Sequence, residues 1–157
     1  MVVVVALARL VLAVGHLKRG EDVLAFSLGS NGGGLKILKA EVKSRAAMRT
    51  AVIVEARTAL SANNGLPSPH AIAFVADRSN EVGDRALGNA LDEAQLKDGI
   101  RTSQVSHMLF TFSGNDPLML LKTNLQTYSG PLPQHYIGLC VDGHQGFIEA
   151  IFEAVST

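Results

Sequence analysis

The segment MLFTFSGND (Met108–Asp116) decides the fold, because an apolar run that suits a strand ends at a short polar cluster and a helical pattern follows. The same order recurs where Ala71–Val75 leads into Asp77–Asn80 and where Tyr136–Val141 leads into Asp142–His144. Strands that alternate with helices usually pair in parallel and are joined by right-handed crossovers. The sequence therefore predicts an α/β fold with three parallel, layered β-α units in its second half.

The second half, residues 70–157, also carries the signals of three helices. Asp84 begins the first, and Asp116 followed by Pro117 is the strongest helix start in the chain. The third helix follows Gly143 and is predicted to bury five apolar side chains, which are Phe147, Ile148, Ile151, Phe152 and Val155. Each predicted strand is thus followed by a helix that can cover the sheet.

The first half, residues 1–66, is less regular and is predicted to contain a β-hairpin. Asp22–Leu28 and Leu35–Val42 flank a glycine-rich turn at Gly29–Gly34. The second flank and the residue after it carry four charged residues among apolar ones: Lys36, Lys39, Glu41 and Lys43. That pattern indicates a strand with one solvated face. A phosphate-binding loop fits the glycines less well, because such a loop opens a helix and the lysine and hydroxyl of the Walker pattern are missing.

Two other segments of the first half have competing interpretations. The valines Val2–Val5 favour a strand, because β-branched residues suit a pleated surface, whereas the rest of the same apolar run, Ala6–Val14, fits a helix equally well. Ser44–Leu60 fits an amphipathic helix with Ser44 as its N-cap, whereas the β-branched residues within Ala51–Val54 would suit a strand. We expect the helix because the segment is long. The whole chain, residues 1–157, is predicted to form a single α/β domain with a mixed sheet.

The composition limits the class of protein. A chain of 157 residues can bury roughly two thirds of its unfolded surface around a single core, so folding requires neither metals nor disulfides. Fourteen Lys plus Arg balance fourteen Asp plus Glu, and aromatic residues are 5% of the chain, so nucleic acid is not expected as a partner. Apolar residues make up 47% of the chain and the mean hydropathy is +0.22, which predicts a homo-oligomer.

Two features bear on the location of the protein. Cys140 is the single cysteine, so no internal disulfide is possible and a cytoplasmic location is expected. The apolar run Met1–Val14 has Arg9 in its middle and is shorter than the about 20 residues that cross a bilayer. No membrane partner is therefore predicted.

The three polar clusters are predicted to meet at one edge of the sheet. In open α/β sheets, ligands bind beyond the carboxyl ends of the strands, where helix N-termini present unpaired N–H groups. The site is therefore expected to bind a small polar or anionic ligand. Its candidate residues are Asp77, Arg78, Ser113, Asn115, Asp116, Asp142 and His144.

The catalytic candidates each have a structural alternative. Asp142 can orient His144 as a general base, although a helix cap and a solvated first-turn residue fit the same spacing. Ser113 can act as a nucleophile, but the G-x-S-x-G elbow is absent and a capping serine is the competing interpretation. Arg78 can pair with an anionic group of the ligand, and Asp77 can hold a hydroxyl or a metal-bound water.

No metal site is predicted, because the five histidines lack the short spacings of zinc ligands. His107 and Cys140 lie in apolar strands and are interpreted as interior residues, with the thiol inert. The sequence identifies no cofactor.

One main function and two alternatives follow. The main prediction is a cytoplasmic α/β protein that binds a small ligand at the strand ends and performs acid–base or hydrolytic chemistry through Asp142, His144 and Ser113. The first alternative is a non-catalytic, self-assembling interaction module, which the apolar opening segment favours. The second alternative is a metal-dependent enzyme.

Overall fold

A computed structural model describes residues 22–29 and 34–155 of the chain. In this part, four strands form one sheet in the order β1-β2-β3-β4. The strands are β1 (Val23–Leu28), β2 (Leu35–Arg45), β3 (Val105–Ser113) and β4 (Gln134–Cys140). β1 and β2 are antiparallel, whereas β2, β3 and β4 are mutually parallel. The predicted α/β fold with a hairpin and a parallel region is confirmed. The strand predicted at Val2–Val5 lies outside the described residues.

The described ranges contain five α-helices. They are α1 (Thr50–Ser61), α2 (Pro69–Glu81), α3 (Arg85–Glu93), α4 (Leu118–Thr127) and α5 (His144–Val155). None of these helices has the length and apolar character that a membrane crossing requires.

The hairpin of the first half is confirmed, and its second strand is longer than predicted. Gly29 donates its N–H to the carbonyl of Gly34 at 3.0 Å, and Gly34 has the positive φ of 76° that favours glycine in a turn. β2 continues to Arg45 because Ser44 pairs with Phe112 of β3. The helix that was expected from Ser44 is confirmed, but it begins at Thr50 and Ser44 is not its cap. Pairing with β3 outweighs the local preference of serine for a helix start.

The strand predicted at Ala71–Val75 is wrong, because this segment lies inside α2. Ser68 accepts a hydrogen bond from the N–H of Ala71 at 3.2 Å, and Pro69 occupies the first turn. A short apolar run does not distinguish a buried strand from a buried helix, and here α2 packs closely on α3. The first of the three predicted β-α units is therefore not present, and the parallel region consists of β2, β3 and β4.

Two apolar clusters lie between the sheet and the helices. The first joins β1, β2 and β3 to α2 and α3 and includes Leu24, Phe26, Ile37, Ile72, Val75, Leu91 and Val105. The second joins α1 and α4 to β3 and includes Met48, Ile53, Ala56, Leu60, Leu109 and Leu121. Because residues that pair in register share a face, α1 to α4 cover the same face of the sheet.

Helix α5 lies against the other face, where His144 and Phe147 approach the ring of Phe112 at centroid distances of 4.9 and 5.6 Å. His144 is the buried residue of this helix. The predicted burial of its apolar side chains is wrong for four of them: Phe147, Ile151, Phe152 and Val155 are 44–81% exposed. Ile148 is partly buried. Cys140 is also exposed, at the end of the edge strand β4, and not interior as predicted.

Candidate functional site

Ser113 and Asn115 lie at the carboxyl end of β3 and hold a neighbouring turn. The Ser113 hydroxyl is buried and donates to the carbonyl of Asn115 at 2.8 Å. The Asn115 carboxamide accepts from the N–H of Met48 at 2.6 Å and donates to the carbonyl of Met48 at 3.3 Å. Both side chains therefore have structural partners that fasten β3 to the turn after β2.

Asp116 caps α4, since its Oδ1 accepts from the N–H of Leu118 at 2.8 Å. It also lines a cavity of about 450 Å³ between α4 and β4. The walls of that cavity are mainly apolar, with Lys122 as the basic residue and Tyr136 as the aromatic one.

Asp77 and Arg78 lie within α2 and not at the carboxyl ends of the strands. Arg78 pairs with Glu81 one helical turn further on, where both side chains are exposed. The apolar cluster that holds α2 includes Leu35 and Val105, at the amino ends of β2 and β3. The structure thus brings two of the three predicted polar clusters to one edge and leaves the third in a helix.

His144 pairs with Ser44 instead of Asp142. Its Nε2 lies 2.9 Å from the Ser44 hydroxyl, which is exposed at the end of β2. Its Nδ1 is buried and has no hydrogen-bond partner among the described residues. Asp142 is exposed in the turn before α5, where Gly143 has a φ of 67°. The expected carboxylate–imidazole pair is therefore not formed in this arrangement.

A second polar cluster, which the sequence interpretation missed, lies at the carboxyl half of β2. Glu41 and Lys43 are two residues apart and project to the helix-covered face, where the Lys43 ammonium lies 2.8 Å from Glu41 Oε1. The same ammonium lies 2.9 Å from Glu55 Oε1 on α1. Asp22, which precedes β1, accepts a hydrogen bond from the N–H of Val42 at 2.8 Å. We call Asp22, Glu41, Lys43 and Glu55 the carboxylate–lysine cluster.

The prediction that this face of β2 is solvated is wrong at Glu41, because that side chain is buried on the helix-covered face. The pKa of Glu41 lies above its ordinary value, chiefly because of burial. The hydrogen bond from Lys43 lowers it, and the negative charges of Asp22 and Glu55 raise it further. Burial by itself lowers the pKa of Lys43, but hydrogen bonds to both glutamates outweigh it and raise that pKa above its ordinary value. Lys43 also lowers the pKa of Glu55. The ammonium therefore stays protonated at neutral pH.

The carboxylates of this cluster are suited to a hard cation. In the described ranges, no three His, Cys, Asp or Glu side chains converge as a metal-binding set. Mg²⁺ needs fewer protein ligands, since it usually keeps several waters and takes one or two carboxylates together with substrate phosphate oxygens. Asp22 and Glu41 match that requirement.

A third polar group lies beneath the turn between α1 and α2. Lys39 is buried and donates to the carbonyls of Ala62 at 3.1 Å and Leu66 at 3.2 Å. His107 donates from Nε2 to the carbonyl of Gly65 at 2.8 Å, which confirms it as a satisfied interior histidine. Burial lowers the pKa of His107. These contacts fix the turn.

Arg57 of α1 continues this polar group towards β4. It donates to Gln134, whose Nε2 in turn donates to His107 Nδ1 at 3.3 Å. Its guanidinium lies 4.4 Å from the ring centroid of Tyr128 and 5.3 Å from that of Tyr136. With these partners, the group is structural.

The fold and the site define a class: a single-sheet α/β protein with a carboxylate–lysine cluster on the strand that joins its hairpin to its parallel region. The chain matches the HamA family model over residues 13–155 and belongs to the HamA family. No curated protein matches the sequence. The matched range contains all four residues of the cluster.

Proposed function

We propose that this protein is a divalent-cation-dependent hydrolase of phosphodiesters, with Asp22, Glu41 and Lys43 at its active site. The observation that carries the proposal is the arrangement at the carboxyl half of β2, where the Glu41 and Lys43 side chains form an ion pair. Asp22 accepts from the N–H of Val42 between them, close enough for its negative charge to raise the pKa of Glu41. This keeps the hydrolytic chemistry and the anionic substrate predicted from the sequence but moves the site along the same edge of the sheet. It also adopts the metal-dependent alternative.

The charges of Asp22 and Glu41 favour a cation between them. Glu41 is buried, and both burial and the negative charge of Asp22 raise its pKa, so the cluster favours added positive charge. A divalent ion held there would supply Lewis-acid activation of a phosphoryl oxygen and of the attacking water. Asp22 and Glu41 would hold the ion and keep it at the edge of the sheet.

Lys43 supplies a second positive charge for the phosphate. Its position two residues from Glu41 on one face of a strand fixes the ammonium beside the carboxylates. A preorganised ammonium stabilises negative charge that develops on phosphoryl oxygens, and it does so more strongly in a partly desolvated site. Lys43 would therefore bind the substrate phosphate and stabilise the transition state.

The surroundings favour an extended substrate over a small one. Arg45 and Arg49 are exposed just after Lys43, and Arg45 is close enough to lower the pKa of Glu55. Small ligands are usually enclosed in a concave pocket. The cavity of about 450 Å³, however, is lined by none of the residues of the carboxylate–lysine cluster. Exposed arginines beside the cluster suit the phosphates of a nucleic acid backbone. The neutral overall charge, on which the prediction against nucleic acid depends, does not describe this local distribution.

The test compares two sources of phosphodiester. Linear DNA and bis(p-nitrophenyl) phosphate are incubated with the protein in Mg²⁺ or Mn²⁺ and in EDTA. We expect cation-dependent cleavage that falls about a hundredfold or more in Glu41→Gln and in Lys43→Gln. Glu81→Gln, an exposed ion-paired glutamate on α2, is the matched control and should cleave normally.

Each result has a definite meaning. Cleavage of DNA alone assigns the polymer as substrate, and cleavage of the small diester alone assigns a small substrate. Cleavage that persists unchanged in EDTA or in both variants would overturn the proposal.

A second candidate is acid–base chemistry at His144, as the sequence predicted. The observation that favours it is the buried Nδ1 without a partner, next to the Nε2 that faces the exposed Ser44. His144→Gln should then abolish an activity that Glu41→Gln leaves intact. Loss in Glu41→Gln with normal turnover in His144→Gln would exclude this candidate.

Two further expectations accompany the proposal. A cytoplasmic location suits the exposed thiol of Cys140, because a free thiol persists in a reducing compartment. The prediction that residues 1–157 form one domain stays a prediction.

A further inference from the structure

We propose that Glu55 is the alternative partner that draws Lys43 away from Glu41 and so leaves the Glu41 carboxylate open to a divalent cation. The inference rests on the proposed function and adds to it a positioning residue outside the strand. Glu55 would thereby set the affinity of the site for its cation without binding the cation itself.

The geometry places Lys43 between two carboxylates of different character. Its ammonium lies 2.8 Å from Glu41 Oε1 and 2.9 Å from Glu55 Oε1. The Glu41 side chain is 8% exposed, whereas the Glu55 side chain is 62% exposed. Glu55 is held in place by its helix, because Ile53 and Ala56 on either side of it are buried against the sheet.

A cation and Lys43 compete for the same carboxylate. Glu41 Oε1 cannot turn to a divalent ion and keep its full hydrogen bond to the ammonium, and the two positive charges repel each other at short distance. If Lys43 lost Glu41 without another partner, it would become an uncompensated charge in a partly buried place. Glu55 removes that obstacle because it already holds the ammonium.

The exposure of Glu55 also suits this role. An ion pair with a solvent-exposed carboxylate is weak, so Lys43 can leave Glu55 in turn when a substrate phosphate arrives. A buried second carboxylate would hold the lysine too firmly. The arrangement therefore orders two exchanges, from Glu41 to Glu55 and from Glu55 to the phosphate.

The test measures cation binding rather than turnover. Mn²⁺ binding is titrated by calorimetry in the wild-type chain, Glu55→Gln, Lys43→Gln and the double variant, with melting curves to check folding. We expect Glu55→Gln to weaken Mn²⁺ binding about three- to tenfold, because Lys43 then stays on Glu41, an effect the size of one ion pair. We expect Lys43→Gln to strengthen binding, and Glu55→Gln to have no further effect once Lys43 is replaced.

Glu93→Gln is the matched control, since Glu93 is 64% exposed and paired with Lys97 at 3.2 Å on α3. It should bind Mn²⁺ like the wild type. Unchanged binding in Glu55→Gln would overturn the inference alone. So would equal weakening by Glu55→Gln with and without Lys43, because Glu55 would then be a ligand of the ion. A wild-type chain that binds no cation would overturn the proposed function as well.

Discussion

At the scale of the residue, His107 shows how the interior holds a titratable side chain neutral. Its Nε2 donates to the carbonyl of Gly65, so its Nδ1 must accept from Gln134. Only the neutral ring offers an acceptor. Burial lowers the pKa of His107, the bond to Gly65 raises it, and the positive charges of Lys39 and Arg57 lower it. Protonation would therefore break one hydrogen bond and add a third positive charge.

This arrangement predicts that acid destabilises the protein through His107. Its folded pKa lies below the value of about 6.5 in the unfolded chain, so below that pH the unfolded state binds the proton first. The free energy of unfolding should therefore fall as the pH decreases from neutral through about 6.5 towards the folded pKa. Urea unfolding followed by circular dichroism measures it, and His107→Gln should show a smaller pH dependence. Equal dependence in both proteins would contradict the assignment.

Residue roles can be predicted from this sequence only where the chemistry is local. Asp116 and Asp84 are recognisable as caps because the groups they bind lie two or three residues away. The hydrogen bond from the N–H of Val42 to Asp22 depends on the register of the hairpin, so it cannot be predicted from composition. A charged position on a strand also does not say which face the helices will cover, so Glu41 and Lys43 are mistaken for a solvated face.

At the scale of the element, the turn between α1 and α2 contains three consecutive residues with positive φ. Asn63 and Asn64 have φ values of 54° and 56°, and Gly65 has a φ of 79°. Asparagine tolerates this left-handed region better than most residues, and glycine occupies it freely. The carbonyl of Gly65 is the acceptor for His107, so the shape of the turn and the polar group beneath it depend on each other.

Gly65→Ala is expected to destabilise the protein strongly. An added Cβ would overlap Leu132 Cδ1 and lie 3.2 Å from the His107 ring, in addition to the cost of the positive φ. We expect a loss of about 2–4 kcal/mol in the free energy of unfolding, from overpacking and backbone strain together.

Gly83→Ala is the control for that experiment. Its φ is 85°, but nothing lies within 4 Å of an added Cβ. Urea unfolding should show a loss of about 1 kcal/mol from backbone strain alone. Equal losses at the two glycines would mean that packing around Gly65 does not matter.

Elements with strong local signals can be predicted, and those without cannot. The glycine turn between β1 and β2 and the caps of α3 and α4 are signals that a few neighbouring residues provide. Ala71–Val75 has no such signal of its own, since its apolar run fits either a strand or a helix. Only Ser68 and Pro69 indicate a helix, and their effect depends on where the chain next packs.

At the scale of the whole molecule, apolar side chains remain exposed on the face opposite α1 to α4. They include Val42, Ile137, Leu139, Phe147, Ile151 and Phe152, on two strands and a helix. Large exposed apolar areas are uncommon on monomeric proteins. The homo-oligomer predicted from the composition would account for this exposure.

Static light scattering tests that expectation. We expect a mass of at least twice the 16.6 kDa of one chain at micromolar concentration. Phe152→Glu should shift the population towards the monomer, because it places a charge within the exposed apolar surface of α5. A wild-type chain with the mass of a monomer would contradict the prediction.

The contact of Arg57 with two rings has a practical consequence for spectroscopy. The chain has no tryptophan and two tyrosines, and both of these lie against the same guanidinium. Tyrosine emission from this protein therefore comes from one small region where α1, β4 and the end of α4 meet. A change in tyrosine emission therefore reports local unfolding of this region. It does not require that the hairpin at the opposite edge of the sheet has also unfolded.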